Sequence, residues 1–373
     1  MSSSYQIFLQ GAAASADFYD RLNYLEVEEN ADLPGALQLR VPVYRGEDGE
    51  PLPIDDAAFA PLSNVSIVAT VEDMPPECIF DGYVLSHKIH METGLTGSYL
   101  EVYAQDASWL MNLEEKTREW ANVTDGIAAN TIFGEYGIAP SPDNLVDDSP
   151  AHTEDGHTLM QRGSDIEFLR MLGRRSGKLC RVVSEAPGAR MGFFAKPSVE
   201  TEPVVTLRPN DIAAPNIRSL DIEWDIMRPT SVRARQALFT DSTPEGASGD
   251  TDASGLASMD ERDLATFSGT PMTAMLTVPV DDAGELRQRA DAVLREAGWF
   301  VRCSGEADVS LLQTVLRVGR VVKIETLGSV HSGNYFVWSV RHRIEAQSHK
   351  MQFVLVRNAV GPAPSGSSLG GLI

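Results

Sequence analysis

The chain has 373 residues, of which 43% are hydrophobic and 23% charged, and it carries a formal net charge of −22. This length accommodates two or three domains, each with a sizeable core. Because phosphate backbones are bound by clusters of Lys and Arg, the acidic balance argues against direct nucleic-acid binding. The charge is typical of a solvated, self-repelling surface, and it also fits an acidic inner wall that repels anionic cargo.

The cysteines and the N-terminus bear on the compartment. Cys78, Cys180 and Cys303 are odd in number and far apart, which argues against a disulfide framework and favours a reducing compartment. The first residues show no basic region followed by a long apolar core, and the chain has no run of about 18 apolar residues. We therefore expect assembly in the cytoplasm without a secretory signal or membrane anchor, and export by lysis or in an assembled particle.

Residues 1–107 have the period of β-strands. Val65, Ile67, Ala69 and Val71 alternate with more polar neighbours, and the same period recurs between Tyr83 and Met91. This pattern predicts a first β-domain of the barrel or sandwich type.

Residues 108–202 change to a helical period. Thr124 is placed to cap a helix that carries Ala128, Ile132 and Tyr136 at intervals of four and ends at Gly137. Ser164 and Glu167 have the spacing of a capping box, and Gly177 is placed to end that second helix. The segment is predicted to be an α/β domain.

Residues 203–360 are predicted to form a second β-domain. Residues 240–257 are almost entirely Asp, Ser, Thr, Gly, Ala and Glu, which predicts a disordered acidic loop. A helix is predicted over 282–297, with Asp282 and Glu285 in a capping-box arrangement. Residues 361–373 form a tail without periodicity.

Three strands are predicted near the end, within 316–324, 332–344 and 351–357, because β-branched and aromatic residues fill these segments. In the middle strand the alternation places Trp338 and His342 on one face, together with Phe336, Val340 and Ile344. Tyr335, Val337, Ser339, Arg341 and Arg343 point the other way. One face is expected to pack, and the other to meet solvent or a partner.

These closing strands resemble the end of the phage late-control D family, the baseplate or tail-tip hub proteins of contractile phages and injection systems, which are related to the N-terminal half of VgrG. The matching residues are Gly319, Val322, Ile324, Gly333, Tyr335, Val337, Val340, His342 and Arg357. Two earlier stretches resemble the family in the same order: residues 80–137, which include Trp120, and residues 164–177. The chain departs from the family pattern at Gly173, where Ala is usual, and in its long acidic loop.

The resemblance implies an α+β, mainly β fold in which an α/β insert separates two β-barrel hub domains, and a ring-like homotrimer. It also implies a structural role, without enzymatic activity or a cofactor, in joining a six-fold inner tube to a three-fold spike. The expected partners are further copies of this chain, the inner tube protein, the spike protein and other baseplate components. The expected location is a virion or an injection particle.

Five residues are the candidates for these interactions: Tyr335, Trp338, His342, Leu372 and Ile373. The first three lie on the closing strand. The last two form an apolar pair at the end of an almost uncharged tail, and such a pair gains free energy by leaving water.

The residues predict no catalytic, cofactor-binding or metal site. His87 and His90 are three apart on a predicted strand, so their rings point to opposite faces. His152 and His157 are expected to be solvated in an acidic loop, and His342 to be a hydrogen-bonded core histidine. The stretch from Gly173 to Lys178 lacks the spacing of a phosphate loop.

Two other classes of function stay open. A tail-associated cell-wall hydrolase would place a pair of carboxylates in a cleft. An effector-loading or receptor-binding module would carry an exposed apolar patch unrelated to any three-fold contact.

Overall fold

The computed structural model describes residues 4–54, 56–147, 149–154, 158–236, 247–280, 283–345 and 348–363. The chain divides into two compact units. Unit 1 comprises Met1–Lys196, Ala307–Val318 and Ser339–Phe353, and unit 2 comprises Pro197–Glu306, Gly319–Trp338 and Val354–Ile373. The predicted division into 1–107, 108–202, 203–360 and 361–373 stays a prediction.

Strands and helices up to residue 196 belong to unit 1. The helices are α1 (Ala16–Arg21), α2 (Asp125–Glu135) and α3 (Asp165–Ser176). The strands are β1 (Ser4–Leu9), β2 (Ala12–Ala13), β3 (Tyr24–Asn30), β4 (Ala36–Pro42), β5 (Tyr44–Arg45), β6 (Pro51–Leu52), β7 (Asn64–Thr70), β8 (Glu77–His90), β9 (Tyr99–Asp106), β10 (Glu115–Trp120), β11 (Ala139–Pro140), β12 (Leu159–Ser164), β13 (Leu179–Ala186) and β14 (Ala189–Ala195).

The remaining elements follow in chain order. The helices are α4 (Leu264–Ser268), α5 (Ala283–Ala297), α6 (Val309–Leu312) and α7 (Gly328–His331). The strands are β15 (Thr206–Leu207), β16 (Ser219–Trp224), β17 (Ser231–Gln236), β18 (Ala247–Ser248), β19 (Arg262–Asp263), β20 (Thr273–Leu276), β21 (Val301–Asp308), β22 (Val321–Ile324), β23 (Gly333–Glu345), β24 (Ser348–Arg357) and β25 (Ala359–Val360). The fold is mainly β, as the sequence predicted.

The main sheet of unit 1 has the order β24-β23-β3-β4-β9-β8-β7-β1-β2. On β3 and β4 burial alternates because successive side chains point to opposite faces, whereas β7 and the first half of β8 are buried on both faces. On β3, for example, Leu25 and Val27 are fully buried, whereas Tyr24 and Glu26 lie on the outer face. This alternation gives β3 and β4 one apolar face and one polar face.

A second core of unit 1 packs α2 and α3 with β13 and β14. The rings of Trp120 and Phe168 stack at 6.1 Å within it. A Cβ at Gly192 would lie 2.5 Å from the Phe133 ring, so the close approach of β14 to α2 requires glycine there. This core gives the α/β part of the chain its own apolar interior.

The ends of α2 and α3 confirm the sequence prediction. Thr124 Oγ1 accepts a hydrogen bond from the Ile127 amide at the start of α2. Both bonds of the Ser164 and Glu167 capping box are present at the start of α3, and Gly177 ends that helix with φ +63°. These helices are fixed by local sequence.

In its described residues unit 2 has three sheets, of which the smallest pairs β19 with β25. The largest contains β16, β21, β22 and β15 with parts of β23 and β24, and the third has the order β18-β17-β20. Helix α5 packs its apolar stripe onto the third sheet, where Val232, Ala234, Leu286, Ala290 and Leu294 form a separate core. Helix α5 covers the predicted helix at 282–297, except that Asp282 lies outside the described residues.

The prediction of two closed barrels is not confirmed. Within the described part of the chain the main sheet of unit 1 is open at β2, because the strand order ends there without returning to β24. Sequence patterning predicts strands and their faces, but closure depends on strand tilt and stagger, which it does not report.

The prediction of a disordered loop at 240–257 is wrong for its described part. Ser248 pairs with Arg235 on β17, and the amides of Val232 and Thr251 each donate to the other residue's carbonyl at 2.8 and 3.0 Å. Backbone pairing satisfies these polar groups, which composition alone cannot show. Residues 240–246 lie outside the described residues.

The three cysteines are buried free thiols, in line with the expectation of no disulfide framework. Burial raises the pKa of each thiol to about 12, which keeps it protonated and unreactive. No helix in the described segments combines the length and apolar character needed to cross a membrane.

Candidate functional site

The candidate residues of the closing strand are mostly buried. Tyr335 and His342 are fully buried and Trp338 is half-buried, where its ring meets Trp299 at 6.3 Å. The expectation that one side meets solvent or a partner is wrong for the first half of β23, because Tyr335 and Val337 on that side are buried within the chain. Arg341 and Arg343, farther along, are exposed as expected. Whether these residues serve interactions stays a prediction.

Three of the resemblance residues meet in unit 2 around a buried guanidinium. Arg357 is fully buried, forms an ion pair with Asp260, and donates to the Ser332 carbonyl at 3.1 Å. The ring of Tyr335 lies 5.1 Å from the guanidinium carbon. Gly333, at φ +133°, leaves no room for a Cβ against Arg357. Sequence reasoning selected these three residues but missed Asp260, which is 97 positions from Arg357.

This Arg357 cluster also fixes the start of the C-terminal tail. The Gly361 amide donates to the Val330 carbonyl at 3.1 Å, and Arg262 Nε donates to the Gly361 carbonyl at 2.8 Å. The tail therefore leaves unit 2 from a defined position. Leu372 and Ile373 lie outside the described residues.

His342 belongs to a buried polar network in unit 1. Its Nδ1 is 3.0 Å from His349 Nε2, which confirms the expected hydrogen-bonded core histidine. Its Nε2 is 3.5 Å from Glu29, whose carboxylate pairs with Arg317 at 2.8 Å. Burial opposes ionisation of Glu29, but the Arg317 and His342 side chains lower its pKa to about 2. Burial and His342 together lower the pKa of His349 to about 3.

The expectation of a solvated His152 is wrong. The ring is buried, and its Nε2 lies 2.8 Å from Asp125 Oδ1, to which Arg175 also donates at 3.0 Å. A β-bridge between Val123 and His152 brings the loop back onto the start of α2. His157 lies outside the described residues.

The His87 and His90 pair lies on β8 as predicted. His90 stacks on Tyr99 at 4.9 Å and lies 3.3 Å from Glu92, while His87 is exposed. Among the described residues there is no group of three or more His, Cys, Asp or Glu side chains arranged to hold a metal ion.

The outer face of the unit 1 sheet carries a preformed polar network that sequence reasoning missed. Glu101 accepts hydrogen bonds from Arg40 at 2.5 Å, from Gln38 at 2.8 Å and from Tyr103 at 2.7 Å. Burial opposes ionisation of Glu101, but these bonds lower its pKa to about 2. The alternation of polar residues on β3, β4 and β9 was the available signal. Tyr and Arg side chains are enriched at protein contacts.

A small cavity in unit 1 lies beside the Glu29–Arg317 pair. Its volume is about 30 Å³, and Cys78, Asp81 and Asp106 are among its lining residues. A space of this size can hold ordered water beside the charged side chains.

The model of the Alg8 N-terminal domain family matches residues 50–346, well over half of the chain. The chain belongs to this family. A search of curated proteins finds no significant match to this chain.

Solved structures share the fold of this Alg8 N-terminal domain family member. A tail protein from Neisseria meningitidis MC58 is 12% identical with a TM-score of 0.65. The alignment covers 96% of this chain and 97% of the tail protein. The 43 kDa tail protein of prophage MuSo2 from Shewanella oneidensis is 13% identical with a TM-score of 0.65, covering 96% and 100%. A chain of the Francisella PdpA–VgrG complex is 10% identical with a TM-score of 0.56. The alignment covers 97% of this chain and 54% of the Francisella chain. The fold is therefore that of phage tail proteins and VgrG-related proteins.

Proposed function

We propose that this chain is a structural hub of the late-control D type in a phage tail or contractile injection particle. The end-to-end likeness in fold to two tail proteins carries the proposal, because each alignment spans 96% of this chain and nearly all of the other. A fragment shared between unrelated assemblies would not extend over both whole chains.

The hub is a homotrimer that joins a six-fold inner tube to a three-fold spike, with other baseplate components around it. The division of the chain into two compact units supports this stoichiometry, since three copies supply six units for a six-fold tube. The chain assembles in the cytoplasm and then remains in the particle. Its net charge of −22 is consistent with protein partners rather than nucleic acid.

The role is structural rather than enzymatic. Three buried carboxylates are paired within the chain: Glu29 with Arg317, Asp125 with His152, and Asp165 with Lys116 at 2.6 Å. Catalytic carboxylates instead face a cleft in which a substrate reaches them. These pairs support a stabilising role for the charges.

Mass photometry of the purified chain tests the proposal. A predominant species of three subunits, with three-fold symmetric class averages in negative-stain images, is the expected result. A stable monomer at micromolar concentration, measured by sedimentation, would overturn the homotrimeric hub.

A further inference from the structure

Unit 2 carries a band of exposed apolar side chains that its own core does not use. Trp224 is 51% exposed, Ile226 38%, Met227 83%, Met272 45% and Met275 76%. We call these five residues the methionine patch. Ordinary surface Met and Trp residues occur singly, so five on two neighbouring segments require an explanation.

The two segments are held side by side by the backbone. The amides of Thr230 and Ser231 both donate to the Met272 carbonyl, at 2.8 and 3.2 Å. Beyond them, β17 and β20 pair in parallel and place Met275 opposite Arg233. The Trp224 ring lies edge-on to Phe267 at 5.6 Å. Hydrogen-bonded backbone thus joins the two segments that carry the patch.

The size of the methionine patch suits an interface. Its exposed apolar area is on the order of 500 Å², at the upper end for the largest patch of a monomer. A standard interface buries about 800 Å² per partner, with an apolar centre and a polar rim. Methionine side chains adapt to the shape of what covers them.

The rim around the patch is balanced in charge. Asp225 lies 3.2 Å from Arg228, and Asp250 lies 3.1 Å from Arg233 and 2.8 Å from Arg235. The chain as a whole carries −22, so two copies repel each other over most of their surfaces. Self-contact is least unfavourable where charge is balanced and apolar area is available.

We propose that the methionine patch is a contact between copies of this chain. The inference rests on the proposed homotrimer and names the surface that makes it. In a cyclic trimer the contact is heterologous, so the patch of one copy covers a different surface of the next.

The test compares two double variants that add the same charge. Met227→Glu with Met275→Glu places carboxylates in the patch. Met160→Glu with Met171→Glu is the matched control, since those methionines are 43% and 48% exposed in unit 1. Mass photometry across a dilution series should show wild-type association for the control and at least 100-fold weaker association for the patch variant.

Thermal melting confirms that both variants fold, and a milder pair, Met227→Gln with Met275→Gln, should weaken association about tenfold. A patch variant that associates like wild type would overturn the patch contact and leave the trimer standing. If the control pair weakened association as much as the patch pair, added charge would explain the effect. That result would also overturn the contact through the methionine patch. A wild-type chain that is monomeric throughout would instead overturn the trimer itself, together with this contact.

Discussion

Arg317 and Glu29 form an ion pair of 2.8 Å although they lie 288 positions apart in the sequence. Both side chains are largely removed from water, and Arg317 also pairs with Glu77 at 2.9 Å. The pair therefore ties the segment 307–318 to the first strands of unit 1.

Removing Arg317 should be costly because it leaves Glu29 charged and buried. Arg317→Met should lower the free energy of unfolding by about 3 to 5 kcal/mol. The matched control is Arg341→Met, which breaks the exposed pair with Glu28 and should cost less than about 1 kcal/mol. Urea titrations measure both. Equal losses in the two variants would show that burial of the Arg317 pair has no special role.

Gly333 should not tolerate alanine, because its positive φ disfavours other residues and a Cβ would clash with Arg357. Gly328 also has a positive φ but no such clash, so it separates the two effects. Gly333→Ala strains a backbone at φ +133° and drives a Cβ into Arg357, so it should cost about 3 kcal/mol or more. Gly328→Ala, at φ +72° with no atom within 4 Å, should cost only about 1 kcal/mol. Chemical denaturation of both variants checks this order, and a smaller loss for Gly333→Ala would remove the steric argument.

His349 should make the free energy of unfolding depend on pH. Its pKa is about 3 in the fold and ordinarily 6.5, so the unfolded chain binds the proton more tightly. The stabilisation is complete above pH 6.5 and is lost as the pH falls toward 3, by about 1.4 kcal/mol per pH unit. In His349→Gln that contribution to the slope should disappear. Unfolding curves between pH 7 and pH 4 for both proteins measure it, and parallel slopes would contradict the assignment.

Trp338 and Phe336 should differ in cost although they are neighbours in one aromatic cluster. Phe336 is 2% exposed and stacks on Trp299 at 5.8 Å, so Phe336→Ala should cost about 3 to 5 kcal/mol. Trp338 is half-buried, so Trp338→Ala should cost about 2 kcal/mol. Thermal melts of both variants measure the two losses. A larger loss of stability in Trp338→Ala than in Phe336→Ala would contradict the prediction.

Local features were predictable from the sequence and long-range ones were not. The cap formed by Ser164 and Glu167 depends on four consecutive residues, so the start of α3 could be predicted from the sequence. The pairing of Asp260 with Arg357 joins positions 97 apart, and composition suggested only a loop near Asp260. His152 was expected in solvent because its β-bridge to Val123 has no local signal.

The methionine patch was not predictable for a related reason. Trp224 and Ile226 alternate with acidic residues as on any half-buried strand, and the sequence does not show that β16 ends its sheet. Met272 is brought beside their segment by hydrogen bonds from the Thr230 and Ser231 amides to its carbonyl, which have no signal in the sequence.

Cryo-electron microscopy of the assembled particle, with this chain carrying an N-terminal tag, tests the hub account most directly. We expect three copies in one ring at the junction between the inner tube and the spike, with the methionine patch covered by the neighbouring copy. Copies distributed along the tube in multiples of six, or a single copy outside the junction, would contradict the account.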